Sequence, residues 1–368
     1  MTMQITPRKL HGFTIIELMV AITISALILG VLTQVYAGAT RSYRVAEALS
    51  RMQENGRYAM DYLARDIRLA GYTGCVSSGT AVNNIANPVT GWSPLNTATS
   101  PITLKGIEGY EASLVSPSAV TATTGVKTDA VLIQFFSPSS AKLVHPSPTN
   151  ANIKINSNTL NFQVAEVLVV TDCAFADILK ATSVSSSGSP VTIAHSNSNN
   201  TGNTTSKEYG QNAEVMRMQS NVYFIDTKTG GIPSLMRRRL GSFDTGDATQ
   251  SCTNATASTT QGFCVEEIAE GVEDLQLLYG VDTNTDLSAD KFVVASSVAA
   301  AEWANVVSVR VNLLVRSVET NVSPEANTTY PVSQIPLLNG APPAIAAATS
   351  RAFRRVYTET IALRNRAL

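Results

Sequence analysis

The feature that most constrains this chain is an apolar run near its N-terminus, from Phe13 to Tyr36, in which Glu17 is the only charged residue. A helix of roughly 20 apolar residues, rising about 1.5 Å per residue, spans the hydrocarbon core of a bilayer. The short leader before the run carries Arg8 and Lys9, and cationic flanks of this kind stay in the cytoplasm. The sequence therefore predicts a single membrane helix with the rest of the chain on the far side.

Three simpler explanations of the apolar run fit it poorly. A secretory signal peptide has a shorter apolar core with a small-residue cleavage site at its far end, and a plain anchor has no use for Glu17. A buried helix of a soluble protein is seldom apolar on every side. A carboxylate within a membrane costs roughly 2.5 to 3.5 kcal/mol, so Glu17 requires a partner, and a positive charge from a neighbouring subunit is the obvious one.

The residues around this carboxylate, H-G-F-T-I-I-E-L-M-V-A from His11 to Ala21, resemble the class III signal of type IV prepilins and pseudopilins. The resemblance implies that prepilin peptidase cuts between Gly12 and Phe13, that Phe13 is then N-methylated, and that Glu17 takes part in assembly. It also implies an inner-membrane precursor with a periplasmic globular domain, which later enters an extracellular filament. The cut frees an α-amino group with a pKa of about 8, which is positive enough to pair with Glu17 of the next subunit.

The helix is expected to continue well past the membrane. Between Pro7 and Pro88 there is no proline, and Gly71 is a plausible stop signal. We therefore predict a leader at 1–12, a membrane and filament-core helix at 13–36, and an amphipathic continuation at 37–71. Apolar residues recur at helical spacing along that continuation, at Val45, Leu49, Met52, Ala59, Leu63 and Ile67.

Residues 72–368 are expected to form a globular domain rich in antiparallel β-structure, which gives an α+β, type IV pilin-like fold. Residues 308–313 and 358–363 alternate between apolar and polar side chains, as half-buried strands do. Two polar stretches, 184–206 and 244–262, are each expected to be an exposed loop or hairpin tip. The strands are predicted from short apolar runs at Ala130–Phe136, Val167–Thr171, Val222–Asp226, Val306–Val315 and Phe353–Leu363.

Four cysteines, at spacings that fit neither a zinc site nor a redox motif, are expected to form disulfides outside the cytoplasm. Cys252 and Cys264 enclose a short loop, and pairing them leaves Cys75 with Cys173. Four cysteines allow three connectivities, so the other two pairings stay open.

Several segments beyond the helix are similar to PilW-type minor pilins. They are Arg65–Tyr72, Asp172-Cys173, Leu275–Asp282 and Tyr357–Asn365. This resemblance implies a minor pilin that acts with the major pilin and other minor pilins to prime pilus assembly near the tip, with a large tip adhesin as a further candidate partner. The alternatives are a type II secretion pseudopilin, or a tip subunit that binds surfaces in adhesion or DNA during DNA uptake.

The composition gives little support to other functions. The chain has 27 Lys and Arg against 28 Asp and Glu, which argues against a wholly basic nucleic-acid binder. No nucleotide-binding fingerprint or catalytic triad context is found, and no cofactor is implied. Arg237-Arg238-Arg239 is interpreted as a solvated strand end, with a basic patch for DNA or acidic pilin surfaces as the alternative.

One loop has partial calcium-binding spacing. Oxygen-bearing side chains occupy positions 1, 3, 5 and 9 of such a loop, but Leu287 replaces its glycine and Val293 its bidentate glutamate. The alternative is a turn rich in Asp and Asn between Leu278 and Phe292. The four residues concerned are Asp282, Asn284, Asp286 and Asp290.

Overall fold

The computed structural model describes residues 14–76, 82–87, 106–111, 128–150, 152–185, 189–227, 231–241, 251–253, 262–320, 322, 330–331, 344–345 and 351–366. One helix, α1, runs from Ile15 to Leu69 and confirms the predicted long helix. Thr14 caps its start, and its end is followed by Gly71 in the left-handed conformation at φ +73°. Glycine adopts that conformation without the penalty a Cβ would bring, so the expected stop signal is present.

The rest of the described chain is mainly antiparallel β-structure, as predicted. Short 3₁₀ turns occupy Ala295–Ser297 and Glu302–Asn305. The strands are β1 (Asn83–Asn84), β2 (Ile107–Tyr110), β3 (Ala130–Lys142), β4 (Ile153–Ile155), β5 (Val167–Thr171), β6 (Ala176–Lys180), β7 (Ser183–Val184), β8 (Val191–Ala194), β9 (Glu214–Thr227), β10 (Pro233–Gly241), β11 (Ser251–Thr253), β12 (Gly262–Glu270), β13 (Val272–Val281), β14 (Lys291–Val293), β15 (Val306–Arg316), β16 (Tyr330–Pro331), β17 (Ala344–Ile345) and β18 (Arg354–Ala362).

The larger sheet is organised around β9. Along one edge β9 pairs with β3, which in turn pairs with β2. Along the other edge its first half pairs with β5 and its second half with β10, and the sheet continues through β6 to β1 and through β12 to β11. The long β9 thus joins two strand groups that would otherwise be separate.

A second sheet, in the order β14-β13-β15-β18, follows directly in sequence. Gly271 is the single residue between β12 of the first sheet and β13 of the second. Its N–H donates to Pro233 O and its carbonyl accepts from Arg316 N, so this turn is bonded to strands on both sides.

The main core lies where α1 packs against both sheets. It combines helix residues such as Leu63 and Ile67 with Val131 and Tyr223 of the larger sheet and Leu313 of the smaller one. The predicted apolar stripe of α1 is confirmed, since Met52, Ala59, Leu63 and Ile67 are all buried. Burial of this stripe is what holds the second half of the helix on the domain.

The expectation that 184–206 is an exposed loop or hairpin tip holds only in part: β7 and β8 pair antiparallel and residues 196–198 are exposed, but β8 itself is packed. Strand β8 lies in the middle of a small sheet, β4-β8-β7, and buries Val191 and Ile193. Asn200 is also buried, and its side chain bonds to the backbone N–H and carbonyl of Lys180. A largely polar segment can therefore pack when two apolar side chains, Val191 and Ile193, lie on one face and the Asn200 amide supplies hydrogen bonds to a neighbouring backbone. Most of 244–262 lies outside the described residues, apart from β11 and Gly262.

The predicted alternation of buried and exposed side chains is found in only one of the two strands for which it was expected. In β18 exposure varies along the strand as expected, whereas β15 is buried at every position except Arg310 and Arg316. Its polar Asn312 is fully buried, where it accepts from Thr358 Oγ1 and donates to Gln276 O. Hydrogen bonds between neighbouring strands therefore allow the polar face of β15 to be buried as well.

Asp274 in β13 is a buried carboxyl, and burial raises its pKa to about 6, with Glu273 adding to the rise. The folded pKa exceeds the unfolded value, so ionisation opposes folding, and this cost is present above about pH 6 and disappears below about pH 4. We predict that Asp274→Asn increases the free energy of unfolding by about 1 to 3 kcal/mol at pH 7.5 and changes it little at pH 4. Urea titrations at both pH values measure this, with the exposed Asp61→Asn as control; equal effects at the two pH values would contradict it.

Candidate assembly site

The first half of α1 is a bare apolar surface. Every residue from Thr14 to Ala39 is exposed, and the helix contains an 18-residue stretch apolar enough to cross a membrane, none of it buried. The hydroxyls of Thr23 and Thr33 donate to carbonyls one turn back, at 2.8–3.0 Å. Because these polar groups are satisfied within the helix, the stretch suits surroundings without water.

Glu17 lies in the first turn of this exposed segment, where the positive end of the helix dipole stabilises a negative charge. Its backbone N–H donates to Thr14 Oγ1 at 3.3 Å, while its side chain faces outward. Gly12 and Phe13 lie outside the described residues. Cleavage between them, methylation of Phe13 and the assembly role of Glu17 remain predictions.

The second half of the helix is fixed to the domain by a buried carboxylate, Asp66. It accepts hydrogen bonds from Asn221 Nδ2 at 2.8 Å and Tyr223 Oη at 2.6 Å, both on β9. Asp66 was not predicted as a site residue. Its place three residues after Leu63, on the apolar face of the helix, is the sequence signal that indicates a buried carboxylate.

The end of α1 is held by the last strand and by β3. Asn365 Nδ2 lies 3.4–3.5 Å from the carbonyls of Arg68, Leu69 and Ala70 at the end of the helix, where the carbonyl of Leu69 also accepts from Tyr72 N. Gly71 N donates to Gln134 O at 2.9 Å. The exposed half of the helix therefore extends from a firmly docked half.

A disulfide joins Cys75, six residues beyond the helix, to Cys173, in the turn after β5, and confirms one favoured pair. The other favoured pair is Cys252 and Cys264. In the ladder of β11 and β12 these two residues are directly opposite each other. Their side chains are outside the described set, so this second bridge remains a prediction that the strand register favours.

The arginine run does not form a basic patch in the described structure. Arg237 pairs with Glu266 and lies over the ring of Tyr62, 5.1 Å from its centroid. Arg238 is buried, and Arg239 lies 3.9 Å from Glu266. The solvated strand end is wrong, because the run lies in the middle of β10, between β9 and β12. Glu266 compensates one of the three charges, and the structure gives no support to a DNA-binding patch.

Segment 282–290 has the geometry of a turn rich in Asp and Asn. Asp282 accepts from the N–H groups of Asn284, Thr285 and Leu287 at 2.6–3.0 Å. Leu287 takes a left-handed conformation, φ +65°, at the position where a calcium loop has glycine.

The remaining side chains of this segment also hold the backbone. Asn284 Oδ1 accepts from Asp286 N at 2.9 Å, and Asp290 Oδ2 accepts from the N–H and hydroxyl of Thr283, both at 2.7 Å. The hydrogen bonds from Thr283 lower the pKa of Asp290. Within the described ranges, no group of three or more His, Cys, Asp or Glu side chains is arranged to hold a metal ion.

Because these hydrogen bonds hold the turn by themselves, we predict the same melting temperature in millimolar calcium and in chelator. Differential scanning fluorimetry of the globular domain measures this. A rise of several degrees with calcium that Asp286→Ala abolishes would contradict the prediction and support a calcium loop.

A long N-terminal helix, bare in its first half and packed on an antiparallel β domain in its second, defines a type IV pilin-like protein. Two family matches agree with this architecture. The prokaryotic N-terminal methylation motif matches residues 7–33, and the family described as type IV pilus-assembly protein W, PilW, matches residues 222–365. The second match extends from the middle of β9 to beyond β18 and so covers the second sheet, which packs on α1.

Each match covers less than half of the chain, and together they support a PilW-type pilin with a class III prepilin signal. Comparison with curated proteins and with solved structures gave no match. Both matched families are structural components of pili rather than enzymes. The motif implies processing by prepilin peptidase and assembly with other pilins, and with the apolar helix it fits anchoring in the inner membrane before assembly.

Proposed function

We propose that this chain is a structural minor pilin of a type IV pilus, which primes assembly with other minor pilins near the tip. The observation that carries the proposal is the exposed apolar half of α1 with Glu17 in its first turn, on a chain whose domain matches the PilW family. A helix of this kind is stable in lipid before assembly and can exchange lipid for neighbouring helices in the filament core.

The proposed pathway begins with the leader, residues 1–12, in the cytoplasm and the globular domain in the periplasm. Cleavage after Gly12 leaves a methylated, positively charged Phe13. Glu17 of one subunit then pairs with such a terminus on a neighbour, since a carboxylate within an apolar core requires a compensating charge. The docked half of α1 keeps the domain in a fixed orientation while the first half inserts.

Complementation of a strain lacking the gene tests this function. We expect Gly12→Ala to block leader removal and Glu17→Ala to leave processing intact, with both lowering the number of surface pili at least severalfold. Ser25→Ala, which changes an exposed polar side chain of the same helix segment but no charge, is the control. Normal pilus numbers together with defective protein secretion would instead indicate a type II secretion pseudopilin.

A separate role in binding surfaces or DNA at the tip has weaker support, because Arg238 is buried, Arg237 pairs with Glu266, and strand β8 of the segment 184–206 is packed. Deleting 184–206 would remove β8 from its sheet, so it cannot separate binding from assembly. Loss of adhesion or DNA uptake in a strain with normal pilus numbers would be evidence for the binding role.

A further inference from the structure

A cleft of about 830 Å³ lies where α1 leaves its bare segment and first approaches the domain. One wall is the helix from Tyr36 to Glu47, and the other is formed by Glu319, Thr320 and Val322, just after β15. The cleft thus begins at the last residue of the predicted membrane span.

Charges are separated along this cleft. At its far end Arg51 bridges two carboxylates, with Nη2 2.6 Å from Glu47 Oε1 and Nη1 3.5 Å from Glu319 Oε1. At the membrane end Arg41 and Arg44 are exposed, and neither makes an ion pair with any described residue. One guanidinium is thus shared by two carboxylates at the far end, whereas the membrane end carries two guanidinium groups that are placed to bind an anion.

The position of these two arginines matches the depth of lipid headgroups. Their Cα atoms lie about 8 and 12 Å beyond that of Tyr36 along the helix. Side chains on a helix lean toward its N-terminus, so both guanidinium groups reach back several ångströms toward the membrane. The headgroup layer on each side of the hydrocarbon core is roughly 5 to 8 Å thick.

We propose that, before assembly, Arg41 and Arg44 bind the phosphate of a phospholipid in the leaflet that faces the globular domain. The two arginines are three residues apart and so lie on neighbouring positions of one helix face. Guanidinium groups bind phosphate through paired hydrogen bonds, and the hydroxyls of Tyr36 and Thr40 in the same cleft supply further donors. The bound headgroup would set the depth and tilt of the helix. This inference rests on membrane anchoring as proposed above.

The test measures lipid retained by the full-length chain. The protein is extracted in maltoside detergent, supplemented with phosphatidylglycerol and examined by native mass spectrometry. Arg41→Gln/Arg44→Gln is compared with wild type and with Arg57→Gln/Arg65→Gln, which removes two exposed arginines from the same helix farther from the membrane. We expect the first variant to require roughly tenfold more lipid for the same occupancy and the control to match wild type.

Equal retention by all three proteins, or no retention by wild type, would overturn the proposal. A dimer lost only in Arg41→Gln/Arg44→Gln, with unchanged lipid retention, would also overturn it and would assign the cleft to a second pilin subunit. Fractionation of cells separates these results from failure of the anchoring itself. If the anchoring itself fails, wild type and both variants would all be found outside the membrane fraction.

Discussion

Replacing Cys75 and Cys173 together with serine should lower the free energy of unfolding of the globular domain by about 3 to 5 kcal/mol. The disulfide closes a loop with a sequence separation of 98 residues, and loops of that length lose the most chain entropy when they are closed. It also ties the segment after α1 to the turn after β5, so the connection between helix and sheet should loosen first.

Urea unfolding of a version that starts after residue 36 measures this loss, because residues 15–36 make no buried contact with the domain. Cys252→Ser/Cys264→Ser is the comparison, with a smaller loss expected from its shorter loop. Thiol titration of the unfolded wild-type chain should find no free thiol if both bridges form and two if only the first does. An unchanged urea midpoint for Cys75→Ser/Cys173→Ser would contradict the account.

Gly271→Ala should destabilise the domain by about 3 to 5 kcal/mol, because two separate costs coincide at this residue. Its φ of +80° is a left-handed conformation that disfavours a Cβ, and an added Cβ would lie 2.6 Å from the carbonyl oxygen of Arg316. Relieving that contact breaks the hydrogen bonds by which the turn joins the two sheets.

Gly231→Ala provides a matched control, since Gly231 has nearly the same φ, +81°, and no atom of the described residues within 4 Å of the added Cβ. It should therefore cost only the conformational part, about 1 to 2 kcal/mol. Chemical denaturation of the two variants separates the contributions. Equal losses would show that contact with Arg316 adds nothing and that the turn tolerates the extra carbon.

The spacing of apolar residues along the sequence was sufficient to predict the helix and several strands. The stripe from Met52 to Ile67 and the stop at Gly71 depend on interactions within one element, and β5 has the predicted bounds, Val167–Thr171. The same holds for the prepilin signal, whose chemistry is contained in a few adjacent residues.

Features that depend on contacts between distant segments were missed. Asp66 is useful to the fold only because Asn221 and Tyr223 lie more than 150 residues away in sequence and donate to it. Likewise, Glu266 lies beside Arg237 only because β10 and β12 pair. Segment 184–206 looked unable to form a core because the partners of Val191 and Ile193 are on other strands.

The central claim is that this chain is a processed subunit of the pilus itself, and peptide mass spectrometry of sheared, purified pili tests it most directly. The account predicts a tryptic or semi-tryptic peptide that starts at N-methylated Phe13, present far below the level of the major pilin. Finding the chain only in membranes, or still carrying residues 1–12 in a piliated strain, would contradict it.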